Sequence, residues 1–228
     1  MSPDSSHSEL AKTAAGRFLG GVLLVGAMLF LPAGTFDYWQ AWLYIVLLFT
    51  PVLIVGLVLF ARDPAFLERR MRSREQQTAQ WLVVVGSTVI LMAIYIVPGL
   101  DHRFGWSSVP TPIIYMADVL ILAGYGLVLA TFRANRFASR VVEVEEGQVV
   151  TTTGPYATVR HPMYLAMIVM FNLTPVALGS WWGLVVGLPF PLLLAGRIVN
   201  EERLLRQELP GYADYCSAVK FRLLPPIW

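Results

Sequence analysis

The side chains best suited to chemistry lie together in residues 154–164, which read Gly-Pro-Tyr-Ala-Thr-Val-Arg-His-Pro-Met-Tyr. Arg160 brings a guanidinium, which can orient a carboxylate through two parallel hydrogen bonds. His161 brings an imidazole, which can gain or lose a proton near neutral pH. The stretch stands directly before a long apolar segment, and ionisable groups are costly to place at the edge of a membrane span. It is therefore the first candidate for a functional site.

Two further polar clusters belong with this stretch. Residues 148–151 lead into it, and Arg197 precedes Glu201 by four positions near the end of the last apolar segment. Residues four apart share one face of a helix, so this spacing predicts that Arg197 and Glu201 can pair. Packing the last two apolar segments against each other brings that pair level with Arg160 and His161. Such a site has a cationic end suited to a carboxylate, an acidic group suited to hydroxyls or a cation, and apolar walls open to lipid.

Composition predicts the kind of protein that must position these groups. The chain has 228 residues, of which 56% are hydrophobic and only 14% charged, and its mean hydropathy is +0.60. Soluble domains carry about 25% charged residues, so the composition indicates a membrane protein. The net charge of +2 gives no reason to expect a nucleic-acid partner. A single cysteine, Cys216, excludes an internal disulfide, and the three histidines are far apart, so we predict no metal site.

Hydropathy predicts an all-α integral membrane fold with about six transmembrane helices. The first four apolar segments are each close to the ~20 residues that cross a bilayer. They are residues 18–36, 38–61, 81–100 and 113–132. Residues 164–194 are too long for one span, and Pro175 and Gly179 interrupt them. We therefore expect a C-terminal helical hairpin, with a fifth helix ending near Leu178 and a sixth over residues 181–199.

The distribution of basic residues predicts the topology. With six spans, 16 of the 17 Lys and Arg residues fall on one side of the membrane and only Arg103 falls on the other. Basic loops stay in the cytoplasm, so this bias predicts a multi-pass protein with both termini and the polar clusters on the cytoplasmic side. Three regions follow: a polar tail over residues 1–17, a four-helix transmembrane region over residues 18–132, and a C-terminal region over residues 133–228.

Two local features are also predicted. Valine-rich runs flank a Glu-Glu-Gly-Gln turn in residues 141–152, a pattern that favours a small β-hairpin. Asp118 lies near the start of the fourth span, where we expect its carboxylate to reach the interface or a neighbouring helix rather than to relay protons.

Three motifs occur in order in the C-terminal region. The first is Gly154-x-Tyr156 followed by Arg160-His161-Pro162-Met163-Tyr164, the second is Glu201-Glu202-x-Leu204-Leu205, and the third is Tyr212-x-x-Tyr215. Singly, such residues are typical of interfacial anchors and helix ends. Together they resemble the isoprenylcysteine carboxyl methyltransferase family of integral-membrane methyltransferases. The resemblance covers roughly residues 133–228 and marks them as a methyltransferase-like catalytic region.

This resemblance implies that the protein binds S-adenosyl-L-methionine in a cytoplasmic pocket and takes a lipophilic small-molecule or prenylated substrate from the bilayer. It also implies that Arg197 contacts the substrate. The candidate cofactor contacts are Gln148, Val149, Val150, Thr151, Tyr156, His161, Pro162, Met163, Tyr164, Glu201 and Glu202.

Methyl transfer from a sulfonium is an in-line displacement, so the protein mainly has to hold donor and acceptor close together and exclude water. A carboxylate acceptor needs no general base, and Arg197 or Arg160 would orient it. An amine or phenol acceptor would need a base, for which His161 is the candidate. Arg160, Arg197 and His161 are therefore the predicted catalytic residues.

Two other functions stay open at this point. A membrane sterol or enone reductase that uses NADPH has a similar Arg-His-Pro-x-Tyr step, usually with Asn in place of Met163 and an acidic residue soon after Tyr164. Leu, Ala and Met follow Tyr164 here instead. A non-catalytic membrane interaction protein that keeps this fold is the third hypothesis.

Overall fold

The computed structural model describes residues 3–64, 67–68, 78–135 and 147–228, and the regular secondary structure of that part of the chain is helical. The helices are α1 (Pro3–Ala33), α2 (Trp39–Arg62), α3 (Thr78–Phe104), α4 (Thr111–Ala134), α5 (Pro162–Ala177), α6 (Trp181–Gly187), α7 (Phe190–Glu208) and α8 (Tyr212–Ala218), with a 3₁₀ turn at Gly154–Ala157. The predicted all-α integral membrane class is confirmed. Residues 3–17, predicted as a polar tail, belong to α1.

The β-hairpin predicted at residues 141–152 lies partly outside the described residues. Within the described part, residues 147–152 form no strand. Valine favours extended structure, but a strand also needs a partner to complete its backbone hydrogen bonds. Val150 instead packs against α8.

Five helical segments are long and apolar enough to cross a membrane, namely Ser8–Ala33, Trp39–Arg62, Val85–Phe104, Thr111–Ala134 and Trp181–Glu208. The predicted fifth span, α5, has only 16 residues and rises ~24 Å, less than the ~30 Å of the hydrocarbon core. It is short because Pro162 begins it and a turn at Gly179, with φ of +81°, follows its end. The predicted sixth span is two helices, α6 and α7, because Pro189 lacks the N–H that would continue the helix.

The turns at residues 34–38, 105–110 and 178–180 meet at one end of the helix bundle, here called the capped end. Asp101 is buried there and accepts hydrogen bonds from the backbone N–H and hydroxyl of Ser107 and from the hydroxyl of Ser180. The Tyr38 hydroxyl donates to the Leu178 carbonyl over 2.6 Å. Residues 148–161 and 201–228 lie at the opposite end, because α4 and α7 both run towards it.

Glycines allow the helices to approach closely at three places. A Cβ added at Gly124 of α4 would lie 2.5 Å from the Met170 Cγ of α5, and one at Gly99 of α3 would lie 2.6 Å from the Leu29 carbonyl of α1. One at Gly183 of α6 would lie 2.7 Å from a carbon of α5. Small residues at contacts are typical of helices that associate in membranes, where van der Waals packing is a main driving force.

Polar side chains join the helices inside the bundle. The Tyr44 hydroxyl of α2 lies 2.8 Å from the Thr174 hydroxyl of α5, and the Tyr125 hydroxyl of α4 donates to the Leu48 carbonyl of α2 over 2.7 Å. Asp118 differs, since it is only 6% exposed and neither carboxylate oxygen has a hydrogen-bonding partner among the described residues. It is buried among the helices rather than placed at the interface.

We expect Ser180→Ala to destabilise the capped end. Ser180 caps α6 by accepting from the Gly183 N–H and donates to Asp101, so its loss leaves a helix end uncapped and removes a donor from a buried carboxylate. Each of these defects costs about 1–2 kcal/mol. The check is a thermal unfolding experiment in detergent, in which the reaction of Cys216 with a thiol-reactive fluorophore reports unfolding. Ser108→Ala, in an exposed side chain of the same region, should leave the unfolding temperature unchanged; equal temperatures for both variants would contradict the assignment.

Candidate functional site

The turn that follows α4 is held from two sides. Gly154 has φ of +59°, and the 3₁₀ turn it begins presents Tyr156 between α4 and α8. The Asn135 amide at the end of α4 donates to the Tyr156 hydroxyl over 3.3 Å, and the Tyr215 hydroxyl of α8 donates to the Tyr156 carbonyl over 2.8 Å. Tyr156 is therefore fixed at the junction of the turn with the C-terminal tail.

The C-terminal tail fixes the backbone that carries the candidate catalytic residues. The Arg160 N–H donates to the Phe221 carbonyl and the His161 N–H donates to the Arg222 carbonyl, both over 2.9 Å. The Arg222 N–H in turn donates to the carbonyl of Trp228, and the Arg222 guanidinium lies 5.0 Å from the centroid of that indole. The start of α5 is thus paired with the last eight residues of the chain.

Glu202 is the buried centre of an ion-pair network. Its side chain is 3% exposed, and its Oε1 lies 2.7 Å from the Arg160 Nε and 3.2 Å from the His161 Nε2. Its Oε2 lies 3.0 Å from the Arg222 Nε and 3.7 Å from a terminal nitrogen of Arg206. A buried carboxylate is tolerated only with such partners.

Arg160 is equally committed to partners within the protein. Beyond its bond to Glu202, one terminal nitrogen donates to the carbonyls of Val219 and Lys220 over 2.7 and 2.9 Å. Arg160 and Glu202 thus hold the tail against α5 and α7. Contact of Arg160 with a substrate, and of Glu202 with a cofactor, stay predictions.

Tyr164 connects the other predicted pair. Its hydroxyl donates to the Glu201 Oε2 and accepts from the Arg197 Nε over 3.0 Å, so the tyrosine bridges Arg197 and Glu201, and a direct pair between these two residues stays a prediction. The His161 Nδ1 lies 4.0 Å from the other Glu201 oxygen. Glu201 is 23% exposed, unlike its buried neighbour. We call His161, Tyr164, Arg197 and Glu201 the Tyr164 network.

The remaining predicted cofactor residues surround these two networks unevenly. Val150 and Tyr156 pack against α8, and Pro162 is buried as the first residue of α5. Thr151 and Met163 are half-buried, as is Gln148, whereas Val149 is 67% exposed.

Tyr212 is a site residue that the predicted set omitted. It is only 4% exposed, and its hydroxyl is buried without a hydrogen-bonding partner among the described residues. Burial, and to a smaller extent the negative charge of Glu202, raises the pKa of Tyr212 well above its ordinary value. The hydroxyl therefore stays protonated as an unused donor. The signal in the sequence was the third motif, Tyr212-x-x-Tyr215.

We expect Glu202→Ala to detach the C-terminal tail. Removing the carboxylate leaves Arg160 and His161 buried without their counter-charge. Breaking a buried ion pair in this way lowers the free energy of unfolding by about 3–5 kcal/mol. The measurement is the thermal unfolding temperature together with limited proteolysis of residues 212–228. Glu208→Gln, at the exposed end of α7, is the matched control and should behave as the unchanged protein. A tail equally protected in both variants would show that Glu202 does not hold it.

Comparison with known proteins points to the same segment. Residues 113–210 match the family model described as phospholipid methyltransferase, and they include α4, the 3₁₀ turn, α5 and most of the site residues. No curated protein matches the chain. The match is to an integral-membrane methyltransferase family related to the one that the sequence motifs resemble, and it gives no support to the reductase alternative. Fold, site and family match therefore together support a multi-pass membrane methyltransferase.

Proposed function

We propose that this protein is an S-adenosylmethionine-dependent methyltransferase whose acceptor is a lipophilic carboxylate of the isoprenylcysteine type or a similar lipid-like molecule. The observation that carries the proposal is the match of residues 113–210 to phospholipid methyltransferases. The matched segment contains every member of the Tyr164 network.

The side chains at the site suit this cofactor. A sulfonium and an ammonium group are cations, and the partly exposed carboxylate of Glu201 can accept hydrogen bonds from an ammonium or from hydroxyls. The buried hydroxyl of Tyr212 offers a donor that nothing in the described protein uses. When bound, S-adenosylmethionine supplies an electrophilic methyl group on sulfur.

The chain's own residues then have to bring an acceptor into line with that methyl group. Arg197 lies one helical turn nearer the membrane than Glu201 and is oriented by Tyr164, so its guanidinium suits the carboxylate of a substrate that arrives from lipid. With S-adenosylmethionine bound, a carboxylate held by Arg197 would take the methyl group as the sulfonium sulfur loses it, so the positive and negative charges would disappear together. No proton has to move when the acceptor is a carboxylate.

An amine acceptor would require a base, and the site contains one in His161. Its Nε2 faces Glu202 and its Nδ1 faces Glu201, so a proton taken up by the ring would lie between two carboxylates. This arrangement keeps the ring oriented. His161 thus serves as the base for an amine and as a positioning group for a carboxylate.

We infer that the end of the bundle that carries the site faces the cytoplasm. Arg103 lies at the capped end, whereas Arg62, Arg133 and Arg160 lie at or near the opposite end. Basic residues accumulate on the cytoplasmic side of membrane proteins.

Incubation of the purified chain with membrane lipid extract and methyl-labelled S-adenosylmethionine is the direct test. We expect mass spectrometry to find a lipid-soluble product that carries one labelled methyl group. We also expect heat on titration with S-adenosylhomocysteine between micromolar and millimolar concentration. The absence of both heat and product would contradict the proposal and favour a non-catalytic interaction protein.

Glu201→Gln and Tyr212→Phe test the cofactor contacts. Loss of a charged hydrogen bond should weaken S-adenosylhomocysteine binding about 10- to 100-fold for Glu201→Gln, and loss of a neutral one about 3- to 10-fold for Tyr212→Phe. Because the Tyr212 hydroxyl has no protein partner, its removal should not lower the unfolding temperature. Titration calorimetry measures the affinities, with Glu208→Gln and Tyr115→Phe, both exposed, as controls. Unchanged affinity in Tyr212→Phe would exclude that hydroxyl as a ligand contact.

A further inference from the structure

A cleft of about 410 Å³ lies between α2 and α4, apart from the residues of the candidate site. Its walls include Ile54, Val58 and Leu59 of α2 and Leu129 and Phe132 of α4. This volume is within the range of about 300–1,000 Å³ that is usual for small-molecule sites. The walls belong to segments that are apolar and long enough to cross a membrane, so lipid is the surrounding medium.

The cleft begins close to a proline of α2. The two helices are joined where the Tyr125 hydroxyl donates to the Leu48 carbonyl, and the cleft begins at Ile54, less than two turns further along α2. Pro51 lies between these two points. A proline inside a helix removes one backbone hydrogen bond and bends the helix.

One end of the cleft is charged. Arg62 and Arg133 lie in the last turns of α2 and α4, both are exposed, and both line the cleft together with Asp63. The ends of apolar helices lie where lipid phosphates are found. A guanidinium binds a phosphate through parallel hydrogen bonds, so two of them at one mouth match a phosphodiester in charge.

We propose that this cleft binds a membrane glycerophospholipid, with one acyl chain along the apolar walls and the phosphate between Arg62 and Arg133. The apolar length of the walls requires a chain, and the two cations at the mouth require an anionic group attached to it. This site does not depend on methyl transfer and exists whether or not the proposed function is correct.

The mouth of the cleft lies at the same end of the bundle as the candidate site. Arg133 lies two positions before Asn135, and the Asn135 amide donates to the Tyr156 hydroxyl. A lipid phosphate held by Arg133 is therefore attached to the helix end that supports the 3₁₀ turn.

The proposal is tested with the purified full chain in mild detergent. Native mass spectrometry measures which lipids bind to it. The probes are dioleoylphosphatidylglycerol, dioleoylglycerol, which has the same chains without a phosphate, and glycerol 3-phosphate, which has a phosphate without chains. We expect one bound phospholipid, at least tenfold preferred over dioleoylglycerol, and no displacement by glycerol 3-phosphate. Equal binding of the two lipids would overturn the phosphate assignment, and displacement by glycerol 3-phosphate would show an anion site rather than a lipid site.

Variants locate the bound lipid. Arg62→Gln combined with Arg133→Gln should abolish the preference for the phospholipid. Leu129→Trp, which fills the cleft, should lower the affinity for both lipids at least tenfold. Arg103→Gln at the capped end is the matched control and should keep the preference. If Leu129→Trp does not fold, Val58→Trp fills the same cleft from α2. A preference that persists in the double arginine variant would place the lipid elsewhere and overturn the proposal.

Discussion

A buried carboxylate at Glu202 is the constraint on which the functional end of this protein depends. A charge with 3% exposure cannot remain ionised in a protein interior without counter-charges, and Glu202 obtains them from the start of α5 and from the tail. Arg160 and His161 are adjacent in the chain, so satisfying Glu202 also fixes the backbone between them. The tail then pairs with that backbone through the carbonyls of Phe221 and Arg222. One ion-pair network thus assembles three parts of the chain that are distant in sequence.

The two neighbouring glutamates have divided roles because a helix rotates about 100° per residue. Glu202 faces the tail and is saturated by cations, whereas Glu201 faces α5 and remains partly exposed beside Tyr164. Glu202 also helps to fix the position of Glu201, since both belong to the same turn of α7. Under the proposed function, a change at Glu202 would act on ligand binding through the position of His161, while a change at Glu201 would act on it directly.

The fold class, most of the spans and the residues of the polar clusters could be predicted from the sequence, because hydropathy and helical spacing are local properties. The sequence placed the end of α5 near Leu178, as the structure does, but counted the helix as a full span although its 16 residues rise less than the thickness of the hydrocarbon core. It also could not reveal that Arg160 would bond to Val219 and Lys220, about 60 residues away in the chain. Such contacts arise from packing of the tail, which has no periodic signature. The unpartnered hydroxyl of Tyr212 could not be predicted either, because only the folded structure shows which polar groups lack partners.

The two ends of the bundle differ in a way that fits a reaction at one of them. At the capped end the buried Asp101 has three donors, and the Gln40 Oε1 near Gly179 is buried without a hydrogen-bonding partner among the described residues. At the other end Glu201 is partly exposed and Tyr212 keeps an unused hydroxyl, while the cleft between α2 and α4 opens with cations at its mouth. A reaction between a water-soluble methyl donor and a lipid has to take place at the boundary between the two media. The proposed reaction therefore fits the end of the bundle where α4 connects the cleft to the 3₁₀ turn and where Glu201 is partly exposed.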